Sequence, residues 1–357
     1  MPTKTSIEWT DYSVNPLRAR NAEGSRGWSC AKISPGCLNC YSEAINKRFG
    51  NGLDYNGKGV QAAAHYLEMR ELGEILRFRP KPPFKNGRDR AMVFPFDMTD
   101  VFGDWVPDSV IDTFMAIVAL RPDVDFMVLT KRADRLPLYY NAPDLGKRIY
   151  KVVSDWLLAG AEKGFLGKQY GRVWDESFPH SLKQDWPLPL PNLWQGVSAE
   201  DQTRADQRIA KLIDADVAVR FVSYEPLLGP VDASEFMGEH CHFPGMDLGI
   251  IGGESGSGAR PCHTEWIESL IRQHAQAGVA CFHKQLGSVP VTPPETVERI
   301  LAKQTAIWLW PEGTMFGNPT GEPELNGRVL KLKHAKGGDP QEWPPQLRVR
   351  QMPKGAA

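Results

Sequence analysis

The sequence predicts an α/β fold: a partial or full parallel β/α barrel with a helical insertion and a small C-terminal appendage. Three observations predict it. Continuous apolar runs of strand length recur along the chain, amphipathic stretches separate them, and polar or glycine residues gather where each run ends. Strands without apolar–polar alternation are covered on both faces, as in parallel sheets, and the intervening helices supply the crossovers. An open doubly wound sheet satisfies the same pattern and is the alternative.

The elements follow in order. Ile7–Thr10 is the first β-prone stretch, a cysteine loop occupies residues 30–40, and Tyr41–Phe49 (YSEAINKRF) reads as a helix. Ala91–Phe96 is a buried-type strand. Pro107–Leu120 is an amphipathic helix with Val110, Ile111, Phe114, Ile117 and Val118 on one side. Asp125–Thr130, Leu193–Val197, Val217–Ser223, Leu248–Gly252 and Val279–His283 bring the strands to seven, with helices at Thr203–Ile213 and His263–Ala277. Residues 133–191 are too long for one connection, which typically runs about 4–6 residues, and read as a helical insertion containing an amphipathic Tyr150–Lys163. Residues 1–287 then form the barrel. Residues 288–357, rich in Pro and Gly, form the appendage, with a helix near Pro294–Lys303 and a strand at Thr305–Trp310.

Composition narrows the function classes. The 357 residues include 42 Lys+Arg against 43 Asp+Glu, a net charge of −1, with 41% hydrophobic and 24% charged residues. That excludes dominant disorder and a wholly basic nucleic-acid protein, while allowing a local basic face. No apolar run reaches the about 18 residues of a membrane span. The N-terminus lacks the apolar core of a signal peptide, so the expected compartment is the cytoplasm.

The six cysteines are Cys30, Cys37, Cys40, Cys241, Cys262 and Cys281. The first three form C-x6-C-x2-C, and Ser34-Pro35-Gly36 is a turn able to fold Cys30 back toward the others. Three soft thiolates without a close fourth ligand point to an iron–sulfur cluster with one iron left open. Two alternatives stand beside it. One is zinc completed by a distant ligand among His240, Cys241, His242, Cys262, His263, Cys281 and His283; the other is three reduced structural cysteines. Cys241, Cys262 and Cys281 otherwise read as core.

Polar residues fall at the C-terminal strand ends, where parallel β/α folds bind ligands. They are Asp97-Met98-Thr99-Asp100, Thr130-Lys131-Arg132, Ser198 and Glu200, Tyr224-Glu225-Pro226, Gly252-Gly253-Glu254-Ser255, and Lys284-Gln285. Candidate cofactor contacts are Lys131, Ser198, Glu200, Gly252, Gly253, Glu254 and Lys284. Glu254 suits an ammonium; Lys131, Arg132 or Arg260 suits a carboxylate. The glycines of 249–258 let a ligand approach the backbone. They are not a dinucleotide fingerprint, because Ala259-Arg260-Pro261 delays the following helix. Asp97, Asp100, Glu200 and Glu225 alternatively suit a divalent metal in a hydrolase. Arg77, Arg79, Lys81, Lys85, Arg88 and Arg90, interleaved with Phe78 and Phe84, suit a nucleic-acid partner or a solvated loop, and Arg328–Lys336 is a weaker basic patch.

Several segments together resemble a phage and bacterial family of three-Cys-motif proteins of unknown function. They are Ile7-Glu8-Trp9-Thr10, Asn15-Pro16, the Cys30–Tyr41 loop, Leu129-Thr130-Lys131-Arg132, Gly196-Val197-Ser198, Glu225-Pro226-Leu227, Gly252-Gly253-Glu254-Ser255-Gly256, Lys284-Gln285, Gly338-Asp339-Pro340 and Leu347-Arg348-Val349-Arg350. That family looks like a branch of the radical S-adenosylmethionine superfamily. The resemblance implies a partial TIM-type barrel and a [4Fe–4S] cluster on Cys30, Cys37 and Cys40. It also implies S-adenosylmethionine chelating the open iron, and an electron donor whose electron cleaves the cofactor to a 5′-deoxyadenosyl radical. Gly249-x-Ile251-x-Gly253 resembles the superfamily's adenine-contacting strand. The chain departs from the superfamily in its longer first cysteine interval and in the late position of Gly252-Gly253-Glu254, and from the family in its longer Leu17–Trp28 and enlarged 133–191 segments. The expected function is radical chemistry on a nucleic acid or nucleotide, with the insertion covering the barrel mouth. A nucleic-acid-binding module, stabilised by a cluster or zinc and doing no chemistry, is the alternative.

Overall fold

A computed structural model describes residues 2–163, 185–238, 245–293, 308–309 and 328–353. An eight-stranded sheet organises it: β1 (Thr3–Lys4), β2 (Tyr12–Val14), β3 (Ala91–Pro95), β4 (Val124–Thr130), β5 (Leu193–Ser198), β6 (Val219–Tyr224), β7 (Leu248–Gly252) and β8 (Ala280–Gln285). Their order in space is their order in the chain. Only the β1–β2 link is antiparallel; the rest are parallel. The fold class is α/β as expected, with the sheet curled into a half-barrel.

Eight helices are described: α1 (Tyr41–Phe49), α2 (Gly57–Gln61), α3 (Met69–Arg77), α4 (Asp108–Ala119), α5 (Arg135–Tyr140), α6 (Leu145–Lys163), α7 (Gln202–Ile213) and α8 (Thr264–Ala277). None among the described residues is long and apolar enough to cross a membrane. The strands are apolar throughout because both faces are covered. One face meets the helices through Val93, Phe126, Val128, Val197 and Ile251. The other fills the half-barrel with Trp9, Met92, Phe94, Met127, Trp194, Phe221, Ile250 and Phe282. The far edge of β8 is closed by the returning C-terminal chain. His283 N–H donates to the Val349 carbonyl at 2.8 Å, and Gln351 N–H donates to that of Cys281 at 2.8 Å.

Three expectations are corrected. Ile7–Thr10 is a turn, and the strand is Tyr12–Val14. The Trp9 ring plugs the half-barrel 4.8 Å from Phe94 and 6.4 Å from Phe221. The Lys85 ammonium gathers the Thr5, Ile7 and Thr10 carbonyls at 2.7, 2.7 and 2.9 Å, so these groups are not free for a ladder.

The described part of the 133–191 insertion does not cover the mouth. It lies in the outer helix layer, where Ile149 and Val153 join the core and Arg148 pairs with Asp112 of α4 at 3.1 Å.

The described parts of the C-terminal region pack onto the barrel. Pro290–Thr292 and Arg328–Lys331 join Cys262–His263 and Trp308–Leu309 in a four-stranded sheet. Trp343 and Leu347 are buried in the main core. The expected helix at Pro294–Lys303 lies outside the described residues, and Trp308–Leu309 is the described part of the expected Thr305–Trp310 strand.

Lys85, Arg88 and Arg90 are spent internally rather than offered to phosphates. Arg88 and Arg90 hold the two oxygens of fully buried Asp125 at 2.5 Å each, and Arg88 also stacks on Trp194. Arg77, Arg79 and Lys81 remain exposed.

Candidate functional site at the barrel mouth

The cysteine loop sits on the C-terminal end of the sheet because side chains from distant strand ends fasten it there. Ser34 N-caps the turn Pro35–Cys37, and Cys40 precedes the first turn of α1. Gly36 N–H donates to Glu200 Oε1 at 3.0 Å, just past β5. Asn39 Nδ2 donates to Glu254 Oε2 at 3.0 Å and to the Gly258 carbonyl at 2.9 Å, past β7. Arg260 Nη1 reaches the Pro35 carbonyl at 2.9 Å, and Arg132 Nη2, past β4, reaches that of Ala31 at 3.0 Å.

The loop thereby closes one side of a cavity of about 930 Å³. Cys30, Cys37 and Cys40 all line it, with Lys131, Ser198, Gly253, Glu254 and Lys284 from the strand ends. Asp97, Asp100 and Glu225 line it as well. Lys131 Nζ donates to Ser198 Oγ at 3.3 Å, and Lys284 Nζ pairs with Glu225 Oε1 at 3.0 Å.

Glu200 and Gly252 do not reach the cavity surface. Glu200 is fully buried and pairs with Arg208 at 2.9 Å. Burial pushes its carboxyl upward, but Arg208, the Ser34 hydroxyl, Lys131 and the Gly36 N–H outweigh that and hold it below the usual range. A Cβ on Gly252 would lie 2.3 Å from Glu225 Oε1, so its absence makes room for that carboxylate. Glu254 is occupied too: Arg260 contacts its oxygens at 2.5 and 2.8 Å, beside Asn39. Burial raises its carboxyl, and the bonds from Arg260 and Asn39 bring it net below the ordinary value.

Among the described residues no group of three or more His, Cys, Asp and Glu side chains converges as on a single metal ion. The divalent-metal reading loses its ligands accordingly. Asp100 accepts from Thr130 Oγ1 at 2.7 Å, Phe102 N–H at 3.0 Å and Lys131 N–H at 3.0 Å. Glu200 and Glu225 hold Arg208 and Lys284. Cys30, Cys37 and Cys40 are free thiols, and burial, then Asp100, push Cys30 up to about 12. Cys262 and Cys281 are buried core residues, as read from the sequence, and Cys241 with His240 and His242 lies outside the described residues.

Sequence reasoning missed Tyr41, whose hydroxyl donates to the Asp97 carbonyl at 3.1 Å, and Arg208, the counter-charge of Glu200. The Tyr41 and Asp97 positions had no shared signal, being 56 residues apart. The Arg208 signal was present: two turns into a helix that starts after Glu200, a cation faces back toward the strand end.

A family profile described as "Protein of unknown function (DUF5131)" matches residues 4–333. No curated protein and no solved structure matches the chain.

Proposed function

The chain belongs to the DUF5131 family of proteins of unknown function, and we propose that it binds a [4Fe–4S] cluster through Cys30, Cys37 and Cys40. It binds S-adenosylmethionine beside that cluster and is a radical enzyme acting on a nucleic acid or nucleotide. The supporting observation is that three thiols from one eleven-residue loop share a single cavity with Lys131, Ser198, Gly253 and Lys284, drawn from four different strand ends. The donor set suits the group. Three soft thiolates carried by one short loop are the donor chemistry of a cluster with one iron left open. When bound, the pair supplies one-electron reductive cleavage of a sulfonium.

The chain's own residues have separable tasks. Lys131 and Ser198 offer donors to a carboxylate inside the cavity. Gly253 brings backbone to the wall, and a Cβ there would lie 2.2 Å from the Leu286 carbonyl oxygen. Glu200 and Glu254 are positioning residues that fix the cysteine loop, so Glu254 does not serve as the ammonium ligand expected from the sequence. Exposed Arg77, Arg79 and Lys81 are the part of the basic run left for phosphate contact.

The test is anaerobic preparation followed by iron and sulfide analysis. About four irons per chain are expected, falling below one in the Cys30→Ala, Cys37→Ala, Cys40→Ala triple variant. Dithionite with S-adenosylmethionine should then yield 5′-deoxyadenosine. A colourless wild-type protein holding a single zinc would refute the reading.

A further inference from the structure

The carboxylates at the mouth are not equivalent. Asp100, Glu200, Glu225 and Glu254 are each committed to donors of the protein itself. Asp97, just past β3, is the exception. Its Oδ1 accepts from Asn15 Nδ2, and its Oδ2 meets the Tyr41 hydroxyl at 3.4 Å. That hydroxyl carries one hydrogen, and the Asp97 carbonyl stands nearer to it, at 3.1 Å. No cation pairs with Asp97 among the described residues. Burial therefore raises its carboxyl, and the bonds from Asn15 and Tyr41 offset only part of the rise. The residue lines the cavity with acceptor capacity still unused.

The chain holds Asp97 there under strain. Phe96, the preceding residue, stands at φ 64°, in the left-handed region that a bulky side chain enters only when its surroundings force it. Its N–H donates to the Val14 carbonyl at 3.0 Å, and its carbonyl accepts from Thr99 N–H at 3.1 Å. Asn15 grips the same turn, its Oδ1 accepting from Met98 N–H at 3.0 Å. Ser42 Oγ donates to the Asp97 carbonyl at 2.8 Å. Backbone and side chain of Asp97 are both fixed by these contacts.

Beside the carboxylate stands an aromatic ring. Helix α1 buries the polar Ser42 and Asn46 and leaves Tyr41, Ile45 and Phe49 exposed. Tyr41 is 54% exposed, yet its hydroxyl is anchored on Asp97, so an accessible ring is held next to the open carboxylate. Tyr41, Ile45, Phe94 and Met98 line the same cavity of about 930 Å³. An aromatic ring with a polar group at its edge is the chemistry of nucleobase recognition: the ring stacks on the base, and the polar group reads the base edge.

A carboxylate accepts and does not donate, and this selects the base. Guanine presents N1–H and its 2-amino group side by side, two donors for two oxygens. Adenine and cytosine place a ring-nitrogen acceptor beside their amino group, and uracil flanks its N3–H with two carbonyls; those acceptors repel a carboxylate. Asn15 occupies one lone pair of Oδ1 and leaves the other. We infer that Asp97 and Tyr41 form a guanine-reading subsite in the barrel mouth. The inference rests on and deepens the nucleotide reading above, and it needs no cluster.

The experiment is calorimetric titration of the full-length protein with the 5′-monophosphates of guanosine, adenosine, cytidine and uridine, at about pH 8 to keep the carboxyl ionised. The guanine nucleotide should bind about tenfold or more tighter than the others. Asp97→Asn is nearly isosteric and exchanges one acceptor oxygen for a donor. It should lose about tenfold or more for the guanine nucleotide and gain affinity for xanthosine 5′-monophosphate, whose 2-carbonyl accepts from an amide. Tyr41→Ala should weaken the guanine nucleotide about fivefold or more, and Leu138→Ala, at an exposed residue on α5, should change nothing. Comparison with a single-stranded ribotrinucleotide carrying a central guanine shows whether the base arrives free or in a strand. Equal affinity for the four mononucleotides, or unchanged guanine binding in either site variant, overturns the inference. So does loss of the guanine nucleotide in Asp97→Asn without the gain of the xanthine one, which gives Asp97 a role in the fold alone. A preference for another base defeats the guanine assignment and leaves the nucleotide reading standing. No binding by any nucleotide, free or in the strand, defeats both.

Discussion

Glu200→Ala tests whether the barrel holds the cysteine loop through a buried charge. The carboxylate is fully buried, accepts from Arg208 Nη1 at 2.9 Å through one oxygen and from Gly36 N–H at 3.0 Å through the other. Its removal leaves Arg208 buried with its bond to the Ser198 carbonyl at 2.7 Å but without a counter-charge. Deleting one partner of a buried pair costs about 3–5 kcal/mol. The lost charge-assisted bond to Gly36 is worth about 1.5–3 kcal/mol by itself, and because both losses share one carboxylate they do not simply add. We expect about 4 kcal/mol, a large part of the roughly 5–15 kcal/mol of ordinary domain stability. Urea unfolding followed by tryptophan fluorescence measures it. Two further readouts separate loop positioning from general damage. Cys37 should label faster with a thiol reagent under native conditions. Glu200→Ala combined with Arg208→Met should recover about 2 kcal/mol relative to the sum of the single variants, since replacing both members of a buried pair is often neutral. A cost below about 1 kcal/mol with unchanged Cys37 labelling would refute the latch.

Acid should loosen the same latch. The Glu200 and Glu254 carboxyls lie below their ordinary value of 4.5 in the folded chain, so the stability they contribute is complete above that value and is lost as pH falls through the lowered folded values. Urea midpoints should therefore drop below about pH 4.5, and Glu200→Gln with Glu254→Gln should flatten that drop; an unaltered slope would remove both groups from the account. Lys85→Met should cost about 2–4 kcal/mol, because three carbonyls lose a shared charged donor. Alanine at Arg77, Arg79 and Lys81 together should leave stability within about 0.5 kcal/mol while weakening any phosphate-dependent binding. A neutral Lys85→Met, measured by thermal melting, would return that lysine to the list of nucleic-acid contacts.

Much of the scaffold was legible in the sequence. The runs at β3 to β8 were found because a parallel strand covered on both faces has to be apolar at nearly every position. The Tyr41–Phe49 bounds of α1 were read correctly, since helix propensity and termini are local matters. The Ile7–Thr10 error has the opposite origin. Trp9 is β-prone in isolation, yet its ring is used to fill the half-barrel, while the strand that replaces it is only three residues long. The three cysteines could be grouped from spacing alone. The roles of Glu200 and Glu254 could not, because their partners Gly36 and Asn39 lie 164 and 215 residues away.

By itself, then, the sequence determined an α/β chain with parallel apolar strands, a crowded cysteine loop and polar groups at the strand ends. These follow from periodicity, turn chemistry and spacing, which act over a few neighbouring residues. Only the tertiary structure decided that the basic run is half consumed inside, that two carboxylates clamp the loop, and that α1 turns its apolar side outward. Those outcomes depend on which charge or carbonyl arrives from a distant strand, and burial and hydrogen bonding across the fold select the partner after local preferences are satisfied.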